Sequence, residues 1–229
     1  MKELRIRFDI VTGFPKLLRS PLSESIVRQA KKKKLVRIKI HDLRKYTHDR
    51  HRTIDDTPYG GGAGMVLKAE PIFECVDALN AQRSYDEIIY LSADGERFDQ
   101  KAANNLSLRK NIILLCGHYK GIDERVRRTL VTKEISIGDY ILTGGELAAA
   151  VVVDAVARLI PGVLGDSESM LTDSFQDELL GAPYFTKPAV FRSMPVPEVL
   201  LSGDHKAIDR WRQEQRVERT KVRRKDLLS

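Results

Sequence analysis

Across the first 160 residues, strand-patterned segments take turns with segments of helical period, and this restricts the chain to a parallel α/β sheet. Residues 4–11 place Ile6, Phe8 and Ile10 between polar neighbours, as a half-buried strand requires. Gly13-Phe14-Pro15 ends it, and a helix with Leu22, Ile26 and Ala30 on one face follows. Val36, Ile38 and Ile40 alternate again. Residues 46–64 are polar and glycine-rich, hence a long loop. Residues 70–79, 99–108, 123–130 and 146–159 read as helices. Residues 88–91 and 112–116 are short apolar runs, as in strands buried on both faces. Residues 134–137 and 140–142 are further short strand candidates.

The pattern changes near Pro161. Residues from there to about Pro197 are rich in Gly, Pro, Ser and Asp, as in a linker or functional loop. Asp204 then offers an N-cap for a helix carrying Ile208, Trp211 and Gln215. The spacing of Trp211 with Ile208 favours core packing over stacking on a ligand.

With 229 residues, 42% hydrophobic and 31% charged, the chain can bury a sizeable globular core. Its longest apolar run, residues 147–153, is too short to span a membrane, and the N-terminus lacks the apolar stretch of a signal peptide. Cys75 and Cys116 make no CxxC pair and no disulfide framework, so a reducing cytoplasm is the expected setting. The net charge of +7 is concentrated. Residues 28–52 carry 11 Lys/Arg against 2 acids, and residues 206–225 carry 9 against 3. Two such blocks suit a polyanionic partner, although solvated surfaces have the same composition.

Known phosphate cradles are missing: no G-x-G-x-x-G follows a strand, and no G-x-x-x-x-G-K-[ST] occurs. His41, His48 and His51 lie near Asp42 and Asp49 without a zinc spacing, so no metal site is expected. What stands out is three loops, each following a candidate strand. They are Leu91-Ser92-Ala93-Asp94-Gly95, the segment from Cys116-Gly117-His118-Tyr119-Lys120 to Arg125, and Ser136-Ile137-Gly138-Asp139-Tyr140-Ile141-Leu142-Thr143-Gly144-Gly145-Glu146. Ligands of open parallel sheets bind beyond the carboxyl ends of strands, and glycine lets the main chain approach a ligand closely. Leu91, Ile137 and Leu142 are suited to sandwiching a flat ring. Taken singly, Gly144-Gly145 reads equally well as a turn before a helix.

At these loops the chain resembles the bacterial tRNA (guanine-N1)-methyltransferases of the TrmD type, in the SPOUT superfamily. The resemblance takes in Thr47-His48-Asp49-Arg50-His51-Arg52-Thr53, Asp55-Asp56-Thr57-Pro58-Tyr59-Gly60-Gly61-Gly62, Gly121-Ile122-Asp123-Glu124-Arg125, the third loop, Arg158-Leu159-Ile160-Pro161-Gly162-Val163-Leu164-Gly165, Thr172-Asp173-Ser174-Phe175 and Leu200-Leu201-Ser202-Gly203-Asp204-His205. These run in family order over nearly the whole chain. The resemblance implies an α/β fold whose parallel sheet ends in a deep C-terminal trefoil knot, followed by a small α-helical domain. It divides the chain into a knotted domain over residues 1–160, a flexible linker over 161–174 and a basic helical tRNA-binding domain over 175–229. It implies S-adenosylmethionine as methyl donor, tRNA as substrate and an obligate homodimer whose active sites draw on both subunits. Magnesium is an expected aid, with no ligand set in the sequence to specify it. Leu91, Gly117, Tyr119, Ser136, Ile137, Gly138, Asp139, Tyr140, Ile141, Leu142, Gly144 and Gly145 are implied to line the donor's pocket. Asp173 is implied as general base and Arg158 as its assistant at the reacting guanine. The implied target is the guanine at position 37, just 3′ of the anticodon and preceded by another guanine.

Two positions depart from the common pattern. Many relatives carry an acid after the tyrosine of the second loop, where this chain has Lys120, so that acid's role is not carried over. Proline often stands where this chain has Ala93. Two rivals remain at this point: a knotted methyltransferase acting elsewhere on RNA, and a non-catalytic RNA-binding module. The acid of the Asp173 motif argues against ribose transfer, and the intact glycines of the third loop argue against a degenerate pocket.

Overall fold

The computed structural model describes residues 4–165 and 173–228. The chain divides into two compact units, residues 1–165 and 166–229, and each is described by itself.

The first unit contains β1 (Ile6–Thr12), α1 (Ser25–Lys32), β2 (Val36–Asp42), β3 (Asp55–Asp56), β4 (Val66–Leu67), α2 (Ala69–Asn80), β5 (Glu87–Arg97), α3 (Gln100–Ser107), β6 (Asn111–Cys116), α4 (Glu124–Thr129), β7 (Lys133–Ser136) and α5 (Glu146–Ala157). Five strands form one sheet in the order β2-β1-β6-β5-β7, and every neighbouring pair is parallel. The expected parallel α/β architecture is therefore present. β3 and β4 pair separately as a short antiparallel ladder, inside and just after the segment expected to be one long loop.

Helices cover both faces of the sheet. Ile112, Leu114 and Cys116 of β6 join a core built with α1, α3 and α5, while Ile113 and Leu115 join a second core built with α2 and α4. A strand buried on both sides has no polar face to show, which is why its sequence is an unbroken apolar run. Helix α5 is apolar almost all round for the same reason: Ala148, Ala149, Val152, Val153, Val156 and Ala157 are all buried.

β1 departs from expectation. Its alternation reads as half-buried, yet all seven of its residues are buried. Arg7 and Asp9, the polar positions, turn into the second core and satisfy each other there. Asp9 accepts hydrogen bonds from the Arg7 guanidinium (Nη2 to Oδ1, 2.8 Å) and from the Tyr85 hydroxyl at 2.8 Å, and pairs with His41 Nε2 at 2.7 Å. Burial alone would raise the pKa of the Asp9 carboxyl. The hydrogen bonds from His41, Arg7 and Tyr85 outweigh it and hold the group well below the usual carboxylate range.

Two other expectations are corrected in this unit. β5 does not stop at Leu91 but runs to Arg97, with a register shift against β7 between Leu91 and Glu96. The first of the three loops is thus an irregular stretch within a strand. Residues 140–142 form no strand. Gly138 adopts φ +149°, and the Tyr140 N–H turns back to the Gly138 carbonyl at 2.9 Å. That tight turn leaves Tyr140 and Ile141 exposed instead of pairing them.

The second unit contains a two-stranded antiparallel hairpin, β8 (Val190–Phe191) with β9 (Met194–Pro195), and a long helix, α6 (His205–Arg223). Asp204 caps α6 as its sequence position predicts, accepting from the Ala207 N–H at 3.1 Å. Ile208 is buried, and Trp211 packs toward Phe185 with ring centroids 6.4 Å apart. Part of the expected linker, residues 166–172, lies outside the described residues, as does Thr172 of the Asp173 motif. No helix among the described residues is long and apolar enough to cross a membrane.

Candidate functional site

The irregular stretch of β5 and the loops that follow β6 and β7 meet around one cavity of about 240 Å³. Main-chain contacts tie the second loop to the third. The Gly145 N–H donates to the Gly117 carbonyl at 2.8 Å, and His118 and Gly144 form an antiparallel bridge. The contact is close enough that a Cβ on Gly145 would lie 2.9 Å from the Cys116 Cα and 3.1 Å from the Gly117 nitrogen. Only a residue without a side chain fits there.

Of the twelve residues expected around a methyl donor, eleven line this cavity: Leu91 from the β5 irregularity, Gly117 and Tyr119 from the second loop, and Ser136, Ile137, Gly138, Tyr140, Ile141, Leu142, Gly144 and Gly145 from the third. Asp139 is not among the lining residues. Four of the eleven are glycines and four are aliphatic, so they offer main-chain groups and apolar surface to a flat, partly apolar small molecule, while Asp94, His118, Lys120 and Arg127 add polar side chains to the walls. Arg158 sits at the C-terminus of α5, in the first unit, its N–H donating to the Asp154 carbonyl at 3.3 Å. Asp173 belongs to the second unit and is half-buried.

Two features of the cavity were not expected from the sequence. Arg127 of α4 braces one wall. It donates to Glu134 of β7 at 3.0 and 2.8 Å and to Asp94 of the β5 irregularity at 2.9 Å, and lies over the Tyr90 ring, 5.6 Å from its centroid. The Glu134 hydrogen bonds, against a smaller opposing effect of burial, raise the already high pKa of this guanidinium, so it is always charged. Arg127 and these partners come from three separate elements, α4, β5 and β7, and nothing in local sequence pairs them.

The second feature is a buried acid below the cavity. Glu146, in the first turn of α5, is 1% exposed. Its carboxylate accepts from the Thr12 hydroxyl at 2.6 Å and stands 3.8 Å from His118 Nδ1. A negative charge in a helix's first turn is favoured by the helix dipole. His118 stacks on Phe14 with centroids 4.1 Å apart. Its position inside the second loop was the only available signal.

A second, larger cavity of about 900 Å³ gathers the residues of two other motifs. Thr47, His48, Asp49 and Thr53 meet Asp56, Pro58 and Tyr59 there, opposite Asp123 and Arg125. Two of the three histidines considered for metal binding have carboxylate partners. His41 pairs with Asp9 and His48 with Glu74 at 2.7 Å.

Fold and cavity together define a parallel α/β protein with a loop-walled cavity at the carboxyl ends of its strands, the place where ligands of such sheets bind. The family model described as tRNA (Guanine-1)-methyltransferase TrmD matches residues 6–229, and the chain belongs to that family. A tRNA (guanine-N(1)-)-methyltransferase of Cytophaga hutchinsonii is 58% identical over 222 residues, covering 97% of this chain and 94% of the relative. Proteins of the same description from Chlorobaculum tepidum and Bacteroides fragilis are 54% and 55% identical over 223 residues, covering 97% of this chain and 97% and 99% of theirs.

Proposed function

We propose that this chain transfers a methyl group from S-adenosylmethionine to N1 of guanine 37 in tRNA, where that guanine is preceded by another guanine. The observation that carries the reading is the cavity: eleven residues of three loops converge on one small space, in a chain of a family described by this activity. The space suits the donor, because Leu91, Ile137 and Leu142 supply an apolar shelf for a purine and the glycine loops expose main-chain N–H and C=O groups to its polar edge.

When bound, S-adenosylmethionine supplies an electrophilic methyl group on a sulfonium. The chain's residues hold it for an in-line displacement and prepare the nucleophile. Guanine N1 carries a proton, so its lone pair is unavailable until that proton leaves. Asp173 takes the proton as the methyl arrives, acting as general base. Negative charge then spreads toward O6, and the Arg158 guanidinium stabilises it. The target base leaves its stack to be reached, which a loop nucleotide does at lower cost than a paired one.

The same reading assigns residues 1–160 to a domain with a deep trefoil knot, 161–174 to a linker carrying Asp173, and 175–229 to a basic domain that grips tRNA phosphates with salt-dependent affinity. It takes the working form to be a cytoplasmic homodimer with active sites drawn from both subunits. Magnesium has no cluster of three His, Cys, Asp or Glu side chains to hold it among the described residues, and no step is assigned to it.

The test is methyl transfer from labelled S-adenosylmethionine to two tRNA transcripts, one with guanine at positions 36 and 37 and one with adenine at 37. Label in the first alone, recovered as 1-methylguanosine, is expected. Label in neither, or in both, refutes the assignment.

A further inference from the structure

We propose that Lys120 recognises the carboxylate of the methyl donor's amino-acid portion and so fixes which way round the donor lies; this rests on the reading of the cavity given above. Four side chains capable of positive or negative charge line that cavity: Asp94, His118, Lys120 and Arg127. Asp94 and Arg127 are spent on each other, 2.9 Å apart, and Arg127 is further engaged by Glu134. His118 is packed against Phe14, with Glu146 as its nearest acid. Lys120 alone among the four is exposed and makes no ion pair with any described residue.

The backbone and stem of Lys120 are nonetheless held in place. Its N–H donates to the Met65 carbonyl at 3.0 Å. Its aliphatic stem lies along Gly64, where a Cβ would come 2.9 Å from Lys120 Cγ and 3.0 Å from Cε. Gly64 itself has φ +103°, a conformation that favours glycine. The glycine-rich segment thus forms a track for the lysine stem, and Lys120 lines a cavity whose other full charges, Asp94 and Arg127, are paired with each other.

The donor has one anionic group, the carboxylate, at the far end of a chain from its purine. Its sulfonium is cationic. An unpaired lysine in the cavity attracts the first and repels the second, so only one orientation satisfies both. An acid at the same position would favour the donor's ammonium group instead. RNA phosphate is the competing anion, and its signature is a change confined to tRNA binding, which the test below separates from a change in donor binding.

Calorimetric titration of the full chain with S-adenosylhomocysteine, which has the carboxylate, and with 5′-methylthioadenosine, which lacks the whole amino-acid portion, tests the inference. Lys120→Met should weaken S-adenosylhomocysteine about fivefold, the scale of one exposed charge pair, and leave methylthioadenosine unchanged. Lys120→Glu should weaken the first ligand further, Lys120→Arg should restore it, and added salt should shrink the difference. Equal weakening of both ligands, no change in either, or a change confined to the KM for tRNA would overturn the proposal. Wild-type protein that binds neither ligand would instead remove the donor site itself, and the inference with it.

Discussion

Replacing Gly145 by alanine sets a permissive backbone against a contact. Gly145 stands at the N-cap of α5 with φ −78° and ψ −5°, a conformation open to any residue. On local grounds the substitution is harmless. The structure argues otherwise, because the new Cβ would lie 2.9 Å from Cys116 Cα and 3.1 Å from the Gly117 nitrogen. Both are main-chain atoms and cannot rotate away. Overpacking of this kind costs about 1–3 kcal/mol. Parting the loops also loosens the 2.8 Å bond from Gly145 N–H to the Gly117 carbonyl, worth about 1 kcal/mol. The net expectation is a loss of about 2 kcal/mol, a fall in Tm of roughly 4–8 °C for a domain of this size. The loops that part are cavity walls, so S-adenosylhomocysteine affinity should fall about tenfold or more, tenfold being 1.4 kcal/mol. Gly165→Ala is the matched control: its Cβ meets nothing within 4 Å and its φ is not in the left-handed region. Thermal melting and titration calorimetry decide the matter. A Gly145→Ala protein that melts with the wild type and binds ligand equally well would refute the claim that loop contact shapes the cavity.

Asp173→Ala should lower the single-turnover methylation rate by about 100-fold or more while S-adenosylhomocysteine binding stays within twofold; equal losses in both would indicate a structural role. Arg127→Met should weaken S-adenosylhomocysteine a few-fold, and Arg127→Lys should fail to restore it because one ammonium cannot reproduce a planar fork shared between Glu134 and Asp94. Asp9→Asn should cost about 3–5 kcal/mol in denaturant unfolding, since it leaves the Arg7 guanidinium buried without its counter-charge. Because the Asp9 carboxyl is depressed in the folded chain, its stabilisation is complete above the unfolded value of about 3.9 and is lost as pH falls below it. The wild type should therefore lose more stability than Asp9→Asn between about pH 4 and pH 2, and parallel pH profiles would count against the network.

The sheet was legible where burial leaves a simple trace. The run of residues 112–116 announces a strand covered on both faces, and the dense apolar helix at 146–159 one covered over most of its surface, with Leu147 and Val151 left exposed. β1 was legible as a strand but not as a fully buried one, because Arg7 and Asp9 carry charge, and the further hydrogen-bond partners of Asp9, His41 and Tyr85, lie 32 and 76 residues beyond it. Residues 140–142 have the composition of a strand, yet a single left-handed glycine before them turns the chain back on itself. The three loops could be found by their glycines and their positions after strands. That two of them lock together through Gly117 and Gly145, and that Arg127 ties Asp94 to Glu134, depends on contacts between elements and leaves no periodic signature. The hairpin at 190–195 went unread for a plainer reason: two residues per strand are too few to show alternation.

A cavity walled by glycine loops has a bearing on chemical inhibition. Every residue contributes the same amide to such a wall, so a compound that reads main-chain N–H and C=O groups meets a surface that point substitutions can scarcely redraw. Gly145 in particular has no tolerated replacement, because any side chain would collide with the neighbouring loop. Escape from such a compound falls to the places where side chains reach the space, among them Leu91, Ala93, His118, Lys120, Ile137 and Leu142. Compounds that read the main chain alone are the ones for which resistance by single substitution should be hardest to select.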